Sequence, residues 1–213
     1  MAGQIDALVA AAIHDAKNAL MTLDNQLAEA ACRPAGADFS AARATTSRIA
    51  GQLTELLTLY RAQGGQLRLA IDDHDLPDFI DDLIAELGPP PGGIQLDCHL
   101  DAANQLGAWA FDAYLVKLAL LDALRNALRH ARSRVTFTLQ PAAQGGLCFE
   151  VADDGPGFPA AMLNGETAAS SQGTGLGLSF ARLIAARHAT PAGKHGHVAL
   201  ANRPGASFIL TLP

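Results

Sequence analysis

His14 is the first residue of the chain whose type and position could support covalent chemistry. Helical spacing places it about 200° around the helix from the apolar positions Ala12 and Ala16, and therefore on the outer side. Asp15 is adjacent, and Asn18 lies four residues on along the same face. A carboxylate that accepts the proton of one ring nitrogen leaves the other nitrogen free to attack an electrophile such as a phosphoryl group. A surface histidine without a chemical role is the alternative.

A second group of polar residues lies on the helix predicted at 113–130. Asp122, Asn126 and Arg129 are spaced by four and then three residues, so they share one face. A carboxylate, an amide oxygen and a guanidinium on one face could hold Mg²⁺ and a polyphosphate, because Mg²⁺ favours a few protein oxygens together with phosphate oxygens. A solvated polar face is the alternative.

Asp153, Gly155 and Gly157 follow a predicted strand that ends near Ala152. The glycines let the backbone turn tightly and approach a ligand. Asp153, at the strand end, could accept a hydrogen bond from an exocyclic amine such as that of adenine. A plain turn is the alternative, because Asp-Gly-Pro-Gly has strong turn chemistry.

A glycine-rich segment then leads into the last predicted helix. Backbone N–H groups before a helix N-terminus can wrap a phosphate. The segment is not a Walker A motif, because no Gly-Lys-Ser/Thr follows it. A Rossmann loop is disfavoured, because the preceding residues 167–172 read as a loop and that motif needs a strand there. The candidate phosphate-binding residues are Gly173, Thr174, Gly175, Leu176 and Gly177.

Two long helices are predicted to carry the N-terminal histidine. Helical spacing of apolar residues predicts one helix at 4–32 and another from Asp38 to Tyr60, separated by the breaker segment 33–36. Two such helices form an antiparallel hairpin, and two hairpins bury their apolar stripes best as a four-helix bundle. We therefore expect residues 1–63 to form a dimerising hairpin and the protein to be a homodimer.

Residues 66–213 are predicted to form a second, α+β domain. Alternating apolar residues predict strands, and longer stripes of period 3.6 predict helices. Mixed elements of this kind favour a sandwich in which helices cover one face of a sheet. The predicted strands are 66–71, 94–98, 135–139, 147–151, 198–200 and 208–212, and the predicted helices are 78–87, 113–130 and 177–188.

The composition narrows the class of protein. Of the 213 residues, 49% are hydrophobic and 17% charged, which is typical of a globular protein. The net charge of -6 argues against a nucleic-acid partner. Three cysteines are too few for a disulfide framework or a zinc site. No stretch approaches the ~18 apolar residues of a membrane segment, and no secretion signal begins the sequence. We therefore expect a cytoplasmic protein.

The combination of segments resembles the catalytic core of sensor histidine kinases. In that family a dimerisation and histidine-phosphotransfer hairpin precedes a GHKL-type ATPase domain. The final segment from Arg203 onward also resembles the last hairpin of the family, so the resemblance covers nearly the whole chain. The matching segments occur in the family's order, as the H-box (13–20), the N-box (121–127), the G1 box (151–159) and the G2 box (173–178).

The resemblance implies a role for each matched position. His14 would accept the phosphoryl group, Asp15 would assist as the base, and Asn18 would position water when a response regulator is dephosphorylated. Asn126 would be a Mg²⁺ ligand and Asp153 would read adenine. The matched glycines would shape the adenine pocket or border the phosphates: Gly155, Gly157, Gly173, Gly175 and Gly177.

The implied reaction is transfer of the γ-phosphoryl group from Mg-ATP to His14, and then to an aspartate of a response-regulator receiver domain. The protein would contribute mainly alignment, a metal site and charge neutralisation.

Three departures from the family pattern keep other functions open. Ala19 stands where the family has Pro, and Asp122 stands where it has Asn. The fifteen residues 158–172 between the G1 and G2 boxes contain no Lys or Arg. This short lid without a positive charge favours a histidine phosphotransferase or phosphatase on the same scaffold with little or no ATP use. A GHKL protein that acts only as a binding switch is the third possibility.

Overall fold

The computed structural model describes residues 16, 20–23, 26–27, 40–142, 145–164 and 176–213. These fall into two compact units. The first contains the described residues up to Leu67 together with 176–180, and the second contains the remainder. Among the described residues no helix has the length and apolar character to cross a membrane.

The first unit is helical. Helix α1 spans Ser40–Gln63, which confirms the second predicted helix. The described positions before it, 16, 20–23 and 26–27, are helical as well. The hydroxyl of Thr45 donates to Oε1 of Gln26 across 3.1 Å, so α1 is tied to this earlier helical stretch. The rest of the predicted helix at 4–32, and the breaker at 33–36, lie outside the described residues.

The helices of the second unit begin where the sequence places N-capping carboxylates. Asp75 accepts from the backbone N–H of Asp78 at the start of α2, and Asp112 accepts from that of Leu115 at the start of α4. The helices predicted at 78–87, 113–130 and 177–188 are all present. The bounds are Leu76–Leu87 (α2), Asp101–Leu106 (α3), Ala113–His130 (α4), Ala160–Leu163 (α5) and Leu176–Arg187 (α6), the last of which begins within the first unit.

A five-stranded mixed sheet forms the centre of the second unit. Its spatial order is β2-β4-β5-β7-β6; β2 runs parallel to β4, and the other neighbours are antiparallel. The strands are Gln95–His99 (β2), Arg134–Pro141 (β4), Leu147–Asp153 (β5), His197–Asn202 (β6) and Ala206–Leu212 (β7). The strand predictions at 94–98, 135–139, 147–151, 198–200 and 208–212 are therefore confirmed.

One face of this sheet is buried beneath helices, as predicted. Phe137 pairs with Val151 and Leu139 with Phe149 across β4 and β5, and all four side chains are buried. Helix α4 packs on β4 and β5, α3 packs on β4, and α2 packs on α4. The sequence alternates on these strands because only one face meets the helices.

The strand predicted at 66–71 is wrong. The strand in this region is Asp72–Asp75 (β1), which pairs antiparallel with Ala108–Phe111 (β3) in a separate two-stranded sheet. Just before β1, the backbone N–H of Ala70 donates to Oδ2 of Asp112 across 2.9 Å. The position of β1 is set by its pairing with a distant strand and by this hydrogen bond. Neither is visible in the local apolar pattern of the sequence.

Candidate functional site

The polar face of α4 is held together by its own hydrogen bonds. The amide nitrogen of Asn126 donates to Oδ2 of Asp122 across 3.1 Å. On its other side Oδ1 of Asn126 accepts from Nη1 of Arg129 at 3.4 Å. The structure thus brings together the three residues that spacing placed on one face. Leu121, Leu124 and neighbouring apolar residues of α4 are buried, so this face is the polar side of an otherwise core-facing helix.

Asp122 sits in an environment that disfavours its charge. Its pKa is raised mainly by burial, while Arg129, Arg125 and the hydrogen bond from Asn126 act in the opposite direction. The two guanidiniums therefore compensate only part of the cost of burying this carboxylate. A polyphosphate on the same face would add further negative charge, and a cation between them would offset it.

Asp153 is the last residue of β5. The residue is buried, and its carboxylate accepts hydrogen bonds through only one of its two oxygens. Its side chain is 8% exposed. Oδ1 accepts from the backbone N–H of Gly155 at 2.8 Å and of Ala206 at 3.3 Å. Within the described part of the chain Oδ2 receives no hydrogen bond. Among the described residues Oδ2 is not a buried unpaired atom, so it reaches the surface and is free to accept from an amine donor of a ligand.

The turn after Asp153 is wedged against the C-terminal end of α4. A Cβ on Gly155 would collide with the carbonyl oxygen of His130. A Cβ on Gly205 would collide with the carbonyl oxygen of Asp153 from the other side. Only glycine permits these two backbone approaches. The carboxylate of Asp153 is thereby placed beside the helix end that follows Asn126.

Asp154 fastens the same turn to the loop after α4. Its carboxylate accepts from the backbone N–H of Arg132 at 2.7 Å, and from the backbone N–H and hydroxyl of Ser133 at 3.0 and 2.6 Å. These bonds, above all the one from the Ser133 hydroxyl, hold the pKa of Asp154 well below its usual range. The sequence showed two adjacent carboxylates, but spacing alone gave no sign that the second one caps a loop about twenty residues earlier.

Asn202 holds the start of the segment that follows. Its Oδ1 accepts from the backbone N–H of Phe158 at 2.8 Å, and its Nδ2 donates to the Phe158 carbonyl at 3.1 Å. The preceding Gly157 has φ +82°, and a Cβ there would lie 2.8 Å from Cγ of Asn202. Sequence reasoning missed Asn202, because a single asparagine at a strand end has no distinguishing pattern.

The remaining candidates are only partly described. Leu176 and Gly177 are the first two residues of α6, and Leu176 is buried. Among the described residues no group of three or more His, Cys, Asp and Glu side chains could hold a metal ion. His14, Asp15, Asn18, Gly173, Thr174 and Gly175 lie outside the described residues.

The chain is similar in sequence to several known proteins. Residues 111–213 match the family described as "Histidine kinase-, DNA gyrase B-, and HSP90-like ATPase". The sensor protein KdpD of Rathayibacter rathayi is 28% identical over 193 residues, which cover 85% of this chain and 21% of KdpD. The signal transduction histidine-protein kinase AfsQ2 of Streptomyces coelicolor is 30% identical over 179 residues, covering 79% of this chain and 31% of AfsQ2. The chain thus spans well under half the length of these two relatives.

A solved structure agrees on the fold. The histidine kinase AdeS of Acinetobacter baumannii superposes with a TM-score of 0.59 at 17% identity, covering 93% of this chain and 96% of that one. Fold, site and family match together define an ATPase domain of the kind shared by histidine kinases, DNA gyrase B and HSP90, a domain type that binds ATP. Together these matches support a histidine kinase catalytic core, which confirms the resemblance found in the sequence.

Proposed function

We propose that this chain is the ATP-dependent protein-histidine kinase of a two-component system. Its ATPase domain binds Mg-ATP, His14 receives the γ-phosphoryl group, and the group then passes to an aspartate of a response-regulator receiver domain. The observation that carries the proposal is the turn wedged against the end of α4. It places the half-occupied carboxylate of Asp153 beside the helix whose polar face carries Asn126 and Arg129.

Each described residue has a task in this reaction. Oδ2 of Asp153 accepts from the exocyclic amine of adenine. Oδ1 of Asn126 is turned away from Asp122 and is an oxygen ligand of the type that Mg²⁺ accepts beside phosphate oxygens. A bound Mg²⁺ would neutralise charge on the phosphates. Arg129 supplies a further positive charge on the same face.

The transfer step itself is a displacement at phosphorus. The lone pair of one ring nitrogen of His14 forms a bond to the γ-phosphorus while the bond from that phosphorus to the bridging β,γ-oxygen breaks and ADP leaves. Asp15 accepts the proton of the other ring nitrogen. Asn18 positions water when the receiver is dephosphorylated.

We also propose that residues 1–63 form a hairpin that dimerises. Leu53, Leu57 and Tyr60 lie at helical spacing on α1, and their side chains are exposed. Three apolar residues of the earlier helical stretch are exposed too: Leu20, Met21 and Leu27. A second hairpin would cover such residues in a four-helix bundle.

A histidine phosphotransferase that uses little ATP is the second candidate. Two observations favour it. The half-buried carboxylate of Asp122 lies on the face proposed for the phosphates, and residues 158–172 contain no Lys or Arg. Both features weaken the hold on a triphosphate. The third candidate, a switch that acts only by binding, leaves His14 without a role.

Labelling with γ-³²P ATP and Mg²⁺ tests the proposal. The wild type should gain acid-labile label, and His14→Ala and Asn126→Ala should lose it. The matched controls are His99→Ala and Asn104→Ala, both exposed and away from the site, and both should be labelled like the wild type. Label that survives in His14→Ala would refute the acceptor assignment. Absence of label, with His14 still accepting phosphate from a phosphorylated receiver, would favour the phosphotransferase.

A further inference from the structure

Asp112 is a junction of three segments in the second unit. Its Oδ1 accepts from the backbone N–H of Leu115 at 3.0 Å and so caps α4. Its Oδ2 accepts from the backbone N–H of Ala70 at 2.9 Å, in the chain leading to β1. Its own backbone N–H donates to Nε2 of His188 at 3.0 Å, directly after α6. Asp112 is itself buried, and its bonds with Leu115 and His188 are shielded from water, while the bond from Ala70 is partly buried.

The partners of His188 fix its protonation. Nδ1 lies 2.8 Å from the carbonyl oxygen of Ile184, which can only accept, so Nδ1 carries the proton. Nε2 faces a backbone N–H, which can only donate, so Nε2 must be unprotonated. The imidazole is 3% exposed. Burial lowers its pKa, although the Ile184 carbonyl and Asp112 act against this, and the neutral ring is therefore favoured.

This pair joins the two helices that bear on the proposed nucleotide site. Helix α4 carries Asp122, Asn126 and Arg129, and its first turn is capped by Asp112. Helix α6 begins at Leu176, so its first two residues are the candidate phosphate-binding positions Leu176 and Gly177, and His188 follows its last residue. His188 also accepts from the backbone N–H of Gly196 through its carbonyl, so the end of α6 is held at 2.9 Å on a second side.

We infer that His188 is a positioning residue. The hydrogen bond that it accepts from Asp112 sets the N-terminal end of α4 relative to the end of α6 and to the chain at Ala70. The same bond thereby sets the position of the polar face of α4. The inference rests on the proposed function only in its effect on nucleotide affinity. The junction itself is a property of the fold that can be measured without nucleotide.

Two substitutions at His188 separate its two hydrogen bonds. His188→Gln places an amide oxygen near the position of Nε2 and keeps an acceptor for Asp112. His188→Asn keeps a donor near the position of Nδ1 but leaves the Asp112 N–H without a partner. His195→Asn is the matched control, because Nδ1 of His195 also lies 2.8 Å from a carbonyl of α6, that of Ala186, but has no link to Asp112.

Hydrogen–deuterium exchange at Asp112, Leu115 and Val116 is measured in the full chain without nucleotide. The affinity for ADP is measured beside it, well below the melting temperature. His188→Asn should speed exchange at these amides about tenfold and weaken ADP binding by about the same factor, which is the effect of one buried donor left unpaired. His188→Gln and His195→Asn should stay within about twofold of the wild type.

Each outcome decides the matter. Unchanged ADP affinity in His188→Asn, despite faster exchange and a lower melting temperature, would reduce His188 to a structural role and overturn the inference. Equal loss in His188→Gln and His188→Asn would overturn it too, because the acceptor would then be irrelevant. If the wild type fails to bind ADP, the proposed function fails while the exchange rates still test the junction.

If His188→Asn does not fold, His188→Gln still tests the inference, because a loss of ADP affinity in that variant would overturn it. Asp112→Asn probes the remaining bond of the junction, the one from Ala70. It keeps one side-chain oxygen for the α4 cap and the backbone N–H for His188, but turns an amide NH₂ towards the N–H of Ala70. Exchange should then rise at Ala70 and stay slow at Leu115. Equally faster amide exchange at Ala70 and Leu115 would contradict the assignment of separate hydrogen bonds to these two residues.

Discussion

The side-chain nitrogen of Asn126 donates to Oδ2 of Asp122 across 3.1 Å, one turn earlier on α4. Since a carboxylate can only accept, this bond decides which end of the Asn126 amide faces which way. The amide oxygen is left on the opposite side, towards Arg129. The carboxylate of Asp122 thus orients the amide of Asn126, the proposed metal ligand. The negative charge of the same carboxylate repels the phosphates that the metal ion would bind.

Asp122→Asn should separate these two effects. The new amide oxygen can still accept from Asn126, but the buried charge is gone, so we expect ATP to bind about three- to tenfold more tightly at pH 7.5. The measurement is a titration with ATP and Mg²⁺, with Asp81→Asn, an exposed change on α2, as control. An affinity unchanged or weakened by Asp122→Asn would refute the argument.

The same variant makes a prediction about pH and stability. Burial raises the folded-state pKa of Asp122 above the ordinary 3.8. The contribution of Asp122 to the stability of the wild type therefore declines as the pH rises from that ordinary value through the folded-state pKa. Asp122→Asn should melt at a higher temperature than the wild type at neutral pH, and the difference should vanish below about pH 4. A melting difference independent of pH would contradict the raised pKa.

Asp153→Asn should damage recognition of the base. The anchored Oδ1 already takes two backbone donors, so the second position must provide the acceptor for the adenine amine, and an NH₂ group there cannot. We expect ATP binding to weaken at least about tenfold. The triphosphate of purine riboside, which lacks the amine, serves as internal control and should lose little. Equal losses for both nucleotides would indicate general disruption of the pocket.

Asp154 should contribute stability that acid removes. Its pKa is lowered chiefly by the Ser133 hydroxyl and backbone N–H. The contribution is complete above the ordinary carboxyl pKa and is lost as the pH falls through the depressed folded-state value. Asp154→Asn should therefore lower the melting temperature at neutral pH. Between pH 5 and about 2, the melting temperature of this variant should fall less than that of the wild type. Ser133→Ala should partly reduce the loss of melting temperature in acid. If neither substitution changes that loss, the assignment to Asp154 is contradicted.

Asn202→Ala should release the start of the segment after Phe158. Both backbone groups of Phe158 lose their partner, so amide exchange at Phe158 should rise about tenfold. Asn164→Ala is the control, because this exposed residue takes part in α5 capping through its backbone alone. ATP affinity should fall several-fold if Gly157 and Phe158 border the nucleotide. If amide exchange at Phe158 in Asn202→Ala equals that of the wild type, the two hydrogen bonds from the Asn202 side chain are not needed to hold Phe158.

The sequence was most informative where one periodicity runs without interruption. Ala113–His130 was predicted at its observed bounds from its apolar stripe, and the structure shows that Asp112 caps the same helix. The β4–β5 hairpin followed from alternation that continues up to Asp153. The polar face of α4 followed from spacing alone, since three residues of one helix need no tertiary information to share a face.

What could not be predicted depends on contacts between distant segments. β1 is polar and short, and it exists only because β3 pairs with it. The clamps by Asp154 and Asn202 join residues 21 or more positions apart. The junction of Asp112 with His188 spans 76 positions. No local pattern encodes such pairs, because the residues around each partner do not indicate which distant segment it will contact.

The place of β7 has a consequence for biosynthesis. This strand lies between β5 and β6 in the sheet, and Ala206 completes the hydrogen bonds of Asp153. A ribosome releases position 14 long before residues 206–212 can enter the sheet, so the nascent chain lacks the proposed adenine pocket. A chain truncated before residue 206 would keep the proposed dimerising segment and the proposed acceptor His14 but would lack the proposed nucleotide site. Under the proposed function, such a subunit paired with an intact copy could accept a phosphoryl group but could not supply one.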